Sequence, residues 1–377
     1  MATEYPAVVC YAPNPGPNWK VETVKVPRSP KEHELKVRMI ATGICHSDVF
    51  VSCIPDGVMG AQYPKVLGHE GAGIVEEVGP GVTVAKVGDP VLLSYDYCSK
   101  CDLCNEHKEP YCLEWQKLNV LGEKGIFETS KAEDAGAKFF GQSSFAGMSI
   151  VSETSVVNVK GQIKDNEDLK LMAPLGCGLM TGSGAVVNTA KPQSHDIVLV
   201  TGLGAVGLGA VMAAKISGCK EIIAVDRVAS RLEMAKELGA TKVLNTSKPD
   251  TNFVEEVQKL VDGQRIGYVV ETTGVVAVIQ ACAQAMGKHG KLIQIGIPAP
   301  GSELKLQLSE FFGLNKTFES HFLGDTTGQA HIPKMLQWHR EGKFPIEKIV
   351  KYFPAKDALL ALQGMEDGSA IKPIIIW

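Results

Sequence analysis

No stretch of this chain reaches the roughly 18 consecutive apolar residues that a membrane-spanning helix needs, so no span is expected. Positive charge is not in excess either. Against 42 aspartates and glutamates stand 38 lysines and arginines, and the net charge of −4 gives no electrostatic case for nucleic acid or an anionic membrane as partner. The opening residues, Met1-Ala2-Thr3-Glu4-Tyr5-Pro6, lack the basic and apolar regions of a secretory leader. A cytoplasmic, reducing location is therefore expected, without disulfides. Internal repeats and low-complexity segments are absent. What is present is an ordinary soluble globular composition, 45% hydrophobic with 39 glycines, in 377 residues, which is long enough for two domains.

Ten cysteines in such a chain point to reduced thiols or metal ligands. Four of them, Cys98, Cys101, Cys104 and Cys112, lie within fifteen residues on a polar stretch and can close tetrahedrally on one zinc ion. A closed four-thiolate site leaves no position for substrate, so this zinc is structural and the chemistry must be elsewhere. Cys10, Cys53, Cys219 and Cys282 read as small buried apolar residues.

From Asp196 onward, short apolar strands alternate with helical stretches. Ile197–Thr201 reads as a buried parallel strand, followed by Gly202-Leu203-Gly204-Ala205-Val206-Gly207 and a helix from Leu208 to Ser217. The next strand, Glu221–Val225, ends on Asp226, 19 residues past the last glycine. Strand, glycine loop, helix and distal acid together form a dinucleotide site. Gly202 serves the tight turn, Gly204 the approach of the pyrophosphate and Gly207 the helix–strand contact, while the helix N-terminus offers free N–H groups to the phosphates. Asp226 suits the ribose hydroxyls of NAD and would repel a 2′-phosphate, although the neighbouring Arg227 keeps NADP possible. Further strands at 242–245, 268–271 and 291–296, with helices at 231–238, 252–261 and 275–286, predict a six-stranded doubly wound sheet. The segment Leu304–Leu308 has strand character without a helix of its own and is expected to be free to pair across a dimer interface.

The first half differs. Short strands at 35–40, 73–78 and 90–94, punctuated by Gly79-Pro80-Gly81 and Gly88-Asp89-Pro90, predict an antiparallel, barrel-like β domain. Set in it are Gly43-Ile44-Cys45-His46-Ser47-Asp48 and Gly68-His69-Glu70-Gly71, with Gly176-Cys177-Gly178 just ahead of the second half. Cys45, His69 and Cys177 supply two thiolates and an imidazole, the ligand set known from alcohol dehydrogenase, and three protein ligands leave a fourth position for an alcohol or carbonyl oxygen. Glu70 is either a carboxylate behind the ligands or a transient fourth ligand, and Asp48 is placed to orient His69 through its other ring nitrogen.

Over essentially its whole length the chain resembles the zinc-dependent medium-chain alcohol dehydrogenases. The likeness rests on the motifs above together with Pro174-Leu-Gly-Cys-Gly178 and Thr181-Gly182. Phe139-Phe-Gly-Gln-Ser-Ser-Phe145 and Ile371-Lys372-Pro373 look most like the aryl, benzyl-type members. The resemblance implies a GroES-like catalytic domain over residues 1–178 with its zinc lobe near 95–115, a Rossmann domain over 179–318, and a return segment over 319–377 that completes the first. It implies two zinc ions per chain, NAD as cofactor, a primary alcohol or aldehyde that is aromatic or bulky as substrate, and a homodimer or homotetramer. Cys45, His69 and Cys177 would hold the catalytic zinc, and Ser47 would take the alcohol proton toward the nicotinamide ribose. His46 would approach the pyrophosphate, Thr181 and Val206 the nicotinamide, Asp226 and Arg231 the adenosine ribose, and Lys372 a phosphate. Many relatives carry a histidine five residues after the catalytic cysteine as the outer end of a proton relay; here that residue is Phe50, so the relay must end at the ribose and water. Competing readings are an NADPH-dependent aldehyde reductase, a glutathione-linked formaldehyde dehydrogenase, and a dinucleotide-binding protein without activity.

Overall fold

The computed structural model describes residues 3–131 and 134–377 and separates into two compact units. One comprises Met1–Cys177, Thr327–Gln337 and Ile346–Trp377; the other comprises Gly178–Thr326 and Trp338–Pro345. Among the described residues no helix is long and apolar enough to cross a membrane.

The first unit is built on two β-sheets of five and seven strands, almost wholly antiparallel. The central strand of the larger sheet, Glu34–Gly43, shows how the sequence sets the fold. Leu35, Val37 and Met39 alternate with Lys36 and Arg38, and the apolar set packs with Val75, Val91, Leu93 and Val151 into one core. Beyond Met39 the strand is buried on both faces, because its far end runs into the site. Its antiparallel register against Gly71–Val78 places Thr42 opposite Gly71, and Gly43 N–H donates to the Glu70 carbonyl at 3.0 Å. On its other edge lies the C-terminal strand Lys372–Ile376, with Ile374 opposite Gly43. Three segments remote in sequence, 43–48, 68–71 and 372–373, therefore converge on one end of one sheet.

The second unit has a six-stranded parallel sheet in the order 242–245, 221–226, 197–201, 268–271, 291–294, 317–320. Strand Ile197–Thr201 is buried at every position, as expected of a parallel strand covered on both faces. Ile197, Leu199, Ile223, Val225, Val269 and Leu292 share a core with Val257, Val261, Ile279 and Cys282 from the helices. The strand order reverses at 197–201, and the glycine loop leaves its carboxyl end there, at the position where such sheets bind ligands.

Three local expectations are corrected. The sixth strand is Thr317–Ser320; the segment 302–307 forms no ladder, and a helix begins at Leu308. Leu304 and Leu306 are half-buried and pack against the sheet core, which accounts for their apolar alternation. Cys10 and Cys282 are buried, but Cys219 is only half-buried and Cys53 is exposed, because Cys53 terminates a seven-residue helix at the surface.

Candidate active site

Cys45 caps the helix His46–Ser52 in an extended conformation. The side chain of Asp48, three residues on and fully buried, reaches back to it: its Oδ2 accepts from the Cys45 N–H at 2.9 Å. The other oxygen, Oδ1, accepts from the Gly68 N–H and from His69 Nδ1, both at 3.0 Å. One carboxylate thus joins the backbone of Cys45 to that of Gly68, the residue before His69, and holds the imidazole hydrogen on Nδ1. Nε2 points away from Asp48, buried and without a hydrogen-bond partner. It faces a cluster in which donor atoms of Cys45, His69, Glu70 and Cys177 all lie within 4.8 Å of one another. An orphaned imidazole nitrogen between two sulfurs is what a zinc ligand set requires, so these residues fit the ion.

The four groups interact strongly through their charges. A hydrogen bond from Cys177 draws the Cys45 thiol well below the ordinary thiol range, with His69 adding to the effect against burial. Cys177 moves the other way because it keeps the proton the pair shares. Burial works to lower His69, but Asp48 and the Cys45 sulfur outweigh it and hold it well above the usual imidazole value. Burial pushes Glu70 up to about 7 against the pull of Lys372.

Lys372, expected at a cofactor phosphate, is buried in the first unit with its ammonium already engaged. Nζ donates to both carboxylate oxygens of Glu70 and to the Ile44 carbonyl, each at 2.9 Å. Gly43 makes room for this pair: a Cβ there would stand 2.1 Å from Glu70 Oε2. Ser47 is half-buried with its hydroxyl accepting from the Cys45 thiol at 3.8 Å, while His46 and Phe50 are exposed on the same helix. The ring of Phe140 stacks on His69 at 4.5 Å and 26°, and Phe139 meets the same imidazole edge-on at 5.4 Å. Neither ring was assigned a role from the sequence, nor was Gln142 between them and the core; the only signal for them was the motif 139–145.

The four-cysteine lobe is as local as its spacing suggests. All four sulfurs lie within 4.8 Å of one another, and Cys98 and Cys104 are 4.0 Å apart. Backbone N–H groups point at them: Cys98 N donates to Cys112 Sγ and Cys101 N to Cys98 Sγ, both at 3.3 Å. Amides of Leu113 and Cys104 pull the Cys101 thiol down to about 6. All ten cysteines are free.

In the second unit, Gly202 takes φ +82°, and Gly207 has no room for a side chain, since a Cβ would meet the Gly202 carbonyl at 1.8 Å. Gly204 opens the helix Ala205–Ile216 and faces open space, leaving the helix N-terminus accessible. Asp226 has a task beyond the one expected of it: Oδ2 accepts from Leu203 N–H at 2.7 Å and Oδ1 from Val228 N–H at 2.8 Å. It pins the glycine loop while keeping lone pairs for a ribose. Arg231 is half-buried with Nε lacking a partner, and Arg227 is exposed. Thr181 is buried on the helix Gly178–Gly184, which lies so close to Val206 that a Cβ on Gly182 would reach the Val206 carbonyl at 1.8 Å.

Comparison with known proteins agrees with both halves. The alcohol dehydrogenase GroES-like domain matches residues 31–160, and the zinc-binding dehydrogenase domain matches residues 205–341. A geraniol dehydrogenase of Castellaniella defragrans is 32% identical over 361 residues, covering 95% of this chain and 94% of its own. The chain belongs to the zinc-type alcohol dehydrogenase family. A probable alcohol dehydrogenase of a Pseudomonas species is 38% identical over 71% of this chain and 84% of its own. Among solved structures, benzyl alcohol dehydrogenase from Acinetobacter calcoaceticus superposes with a TM-score of 0.89 at 34% identity, over 99% of each chain. An alcohol dehydrogenase zinc-binding domain protein from Burkholderia ambifaria reaches 0.91, also at 34% identity, over 100% of this chain and 99% of its own. As a member of this family the protein is a zinc-dependent oxidoreductase, with a GroES-like domain and a Rossmann-type sheet, acting on a small-molecule alcohol or aldehyde.

Proposed function

We propose that this enzyme moves a hydride between NAD and a primary alcohol/aldehyde pair bearing an aromatic or otherwise bulky group. The observation that carries the reading is the buried, unpartnered Nε2 of His69 beside the sulfurs of Cys45 and Cys177. The likenesses to a benzyl alcohol dehydrogenase and a geraniol dehydrogenase support the bulky substrate. When bound, zinc supplies Lewis-acid polarisation of the substrate oxygen, and NAD supplies the hydride acceptor. Ser47 would take the hydroxyl proton; Phe50, exposed on the same helix, offers no base, so a bound cofactor's ribose hydroxyl and water would have to serve as the proton's way out. Asp48 keeps His69 in the tautomer that binds metal. Gly202, Gly204 and Gly207 would receive the pyrophosphate of a bound NAD, Thr181 and Val206 would flank its nicotinamide, and Asp226 and Arg231 would hold its adenosine ribose; His46 is assigned to the pyrophosphate by the family resemblance.

Two zinc ions per chain, a homodimer or homotetramer, and a cytoplasmic location belong to the same reading. Ten free cysteines support the reducing compartment, and strongly exposed Leu308 and Phe312 support association. A spectrophotometric screen tests it: aromatic, terpenoid and short aliphatic alcohols and their aldehydes, each with NAD and NADP, and formaldehyde with glutathione. Efficient turnover of bulky primary alcohols with NAD is expected. A clear preference for NADPH would shift the reading to an aldehyde reductase, for which exposed Arg227 is the residue in favour. Turnover confined to formaldehyde with glutathione would match the relative named S-(hydroxymethyl)glutathione dehydrogenase in Komagataella pastoris, 32% identical, and would overturn the bulky-substrate assignment. Asp226→Ser should weaken NAD use more than NADP use; an unchanged ratio would place cofactor choice elsewhere.

A further inference from the structure

We propose that Gln142 is the positioning residue that sets the spacing of the catalytic zinc ligands, an inference that rests on the assignment of Cys45, His69 and Cys177 as that ligand set. Gln142 is fully buried, and its amide is spent entirely on backbone next to those ligands. Nε2 donates to the His69 carbonyl at 2.9 Å and to the Ser94 carbonyl at 2.7 Å, while Oε1 accepts from Gly71 N–H at 3.1 Å. The orientation of the amide is dictated by these partners, since turning it over would set donor against donor and acceptor against acceptor. One planar group therefore clamps the chain on both sides of Glu70, the first contact being the carbonyl of His69 itself. The Ser94 hydroxyl carries the constraint onward by donating to the Gly176 carbonyl at 2.7 Å, one residue before Cys177. Two ligands more than a hundred residues apart in sequence are thus braced through two side chains, those of Gln142 and Ser94.

The segment that delivers Gln142 is itself held in a conformation most L residues avoid. Lys138, Phe140, Gly141 and Ser143 all have positive φ, at 54°, 52°, 69° and 51°. Such a run persists only where its surroundings over-determine it. Here Ser143 Oγ accepts from Phe139 N–H at 2.9 Å and donates to the Val66 carbonyl at 2.6 Å, and Ser149 Oγ donates to the Gln142 carbonyl at 2.5 Å. Lys138 Nζ anchors the entry on Glu34 at 2.5 Å and Glu123 at 3.1 Å. The result is that three side chains of this segment converge on one ligand: Phe140 stacks on the His69 ring, Phe139 meets it edge-on, and Gln142 holds its carbonyl. An apolar side chain would fill the same volume but leave Gly71 N–H and two carbonyls to find other partners.

The test uses the zinc-loaded full-length protein and the lobe zinc as internal control. Wild type, Gln142→Leu, Gln142→Glu and Ser94→Ala are titrated with a chromophoric chelator to read zinc affinity at each site. The same proteins are prepared with Co²⁺ at the Cys45/His69/Cys177 site for electronic spectra, and their thermal unfolding is recorded. Removing a group that orients a metal ligand costs roughly 10–100-fold in affinity, so Gln142→Leu and Gln142→Glu should lose about that at the catalytic site with the lobe unchanged. Ser94→Ala, which removes only the link to Gly176, should lose less and should shift the Co²⁺ bands in the same direction. Lower thermal stability with unaltered catalytic-site affinity and spectrum would overturn the proposal and leave Gln142 a core amide. If Gln142→Leu does not fold, Gln142→Glu and Ser94→Ala decide by the same readouts. Cys177→Ser in parallel separates the premise from the proposal: if it retains as many zinc ions as wild type, the ligand assignment has failed rather than the role of Gln142.

Discussion

Replacing Lys372 by Met removes the cation from a carboxylate that solvent does not reach. The Lys372 side chain is 4% exposed and that of Glu70 0%, and Nζ lies 2.9 Å from the nearer carboxylate oxygen. At such a separation the attraction is about 6 kcal/mol with an effective dielectric constant near 20. Breaking a buried pair from one side generally costs about 3–5 kcal/mol, because the remaining charge loses its partner without regaining water. Met keeps the length and apolar stem of lysine, so little of the loss would come from packing. The Ile44 carbonyl, which accepts from the same ammonium, adds a smaller share. The expected loss for Lys372→Met in urea unfolding is therefore at most about 3–5 kcal/mol, reached at alkaline pH and smaller near neutrality, where Glu70, already raised to about 7, takes a proton; it is monitored by a signal from the first unit so that the two units are not averaged. The double variant Glu70→Gln/Lys372→Met, which leaves no buried charge, should recover most of it. NADH affinity, measured by fluorescence titration, should change little. A large fall in NADH affinity with stability intact would refute this account and restore Lys372 to the cofactor phosphates.

Asp48→Asn presents an amide to the Cys45 N–H or to His69 Nδ1 where a carboxylate now accepts from both, and should weaken the catalytic zinc about 10–100-fold in chelator competition with the lobe zinc unaffected; equal affinity would show that Asp48 does not orient the ligands. Glu34 is buried, which acts to raise it, yet Arg28 and Lys138 pull it down to about 2. Its folded pKa lies below the unfolded value, so the stabilisation is complete above about pH 4.5 and is lost as the pH falls toward 2, about 3 kcal/mol in all. Glu34→Gln should flatten that acid limb in pH-dependent unfolding, and an unchanged limb would assign it to other carboxylates. Cys101→Ser should lower zinc content by one ion per chain and open residues near 95–115 to proteolysis, because metal binding at such a lobe is folding free energy; Cys177→Ser should stay folded with little turnover. Normal stability of the first and normal activity of the second would dismiss the metal assignments.

How much of this protein its sequence declares depends on how far apart the interacting residues stand. The four cysteines of the lobe, the strand–glycine loop–helix with Asp226, and the five strands from 197 to 294 are local patterns, in which spacing and backbone chemistry decide the outcome almost independently of the rest of the chain. Cys45, His69 and Cys177 were recognisable as ligand types, and the resemblance grouped them, but the register of 34–43 against 71–78 is what brings the first two together. Other features could be decided only by tertiary structure. Lys372 meets Glu70 across 302 positions, and Gln142 meets Ser94 and His69 across 48 and 73. Such pairings belong to side chains whose partners are chosen by packing, and no periodicity announces them. The strand at 317–320 was missed for the same reason, since its place is set by the neighbouring strand 291–294 and only Phe318 among its four residues is strongly apolar. Local chemistry therefore supplied the metal-ligand types and the glycine loop from which the proposed sites are built. Long-range packing determined how buried charges and amides hold those ligands in place, because burial makes an unpaired polar group costly and the fold must supply its partner from wherever the chain passes.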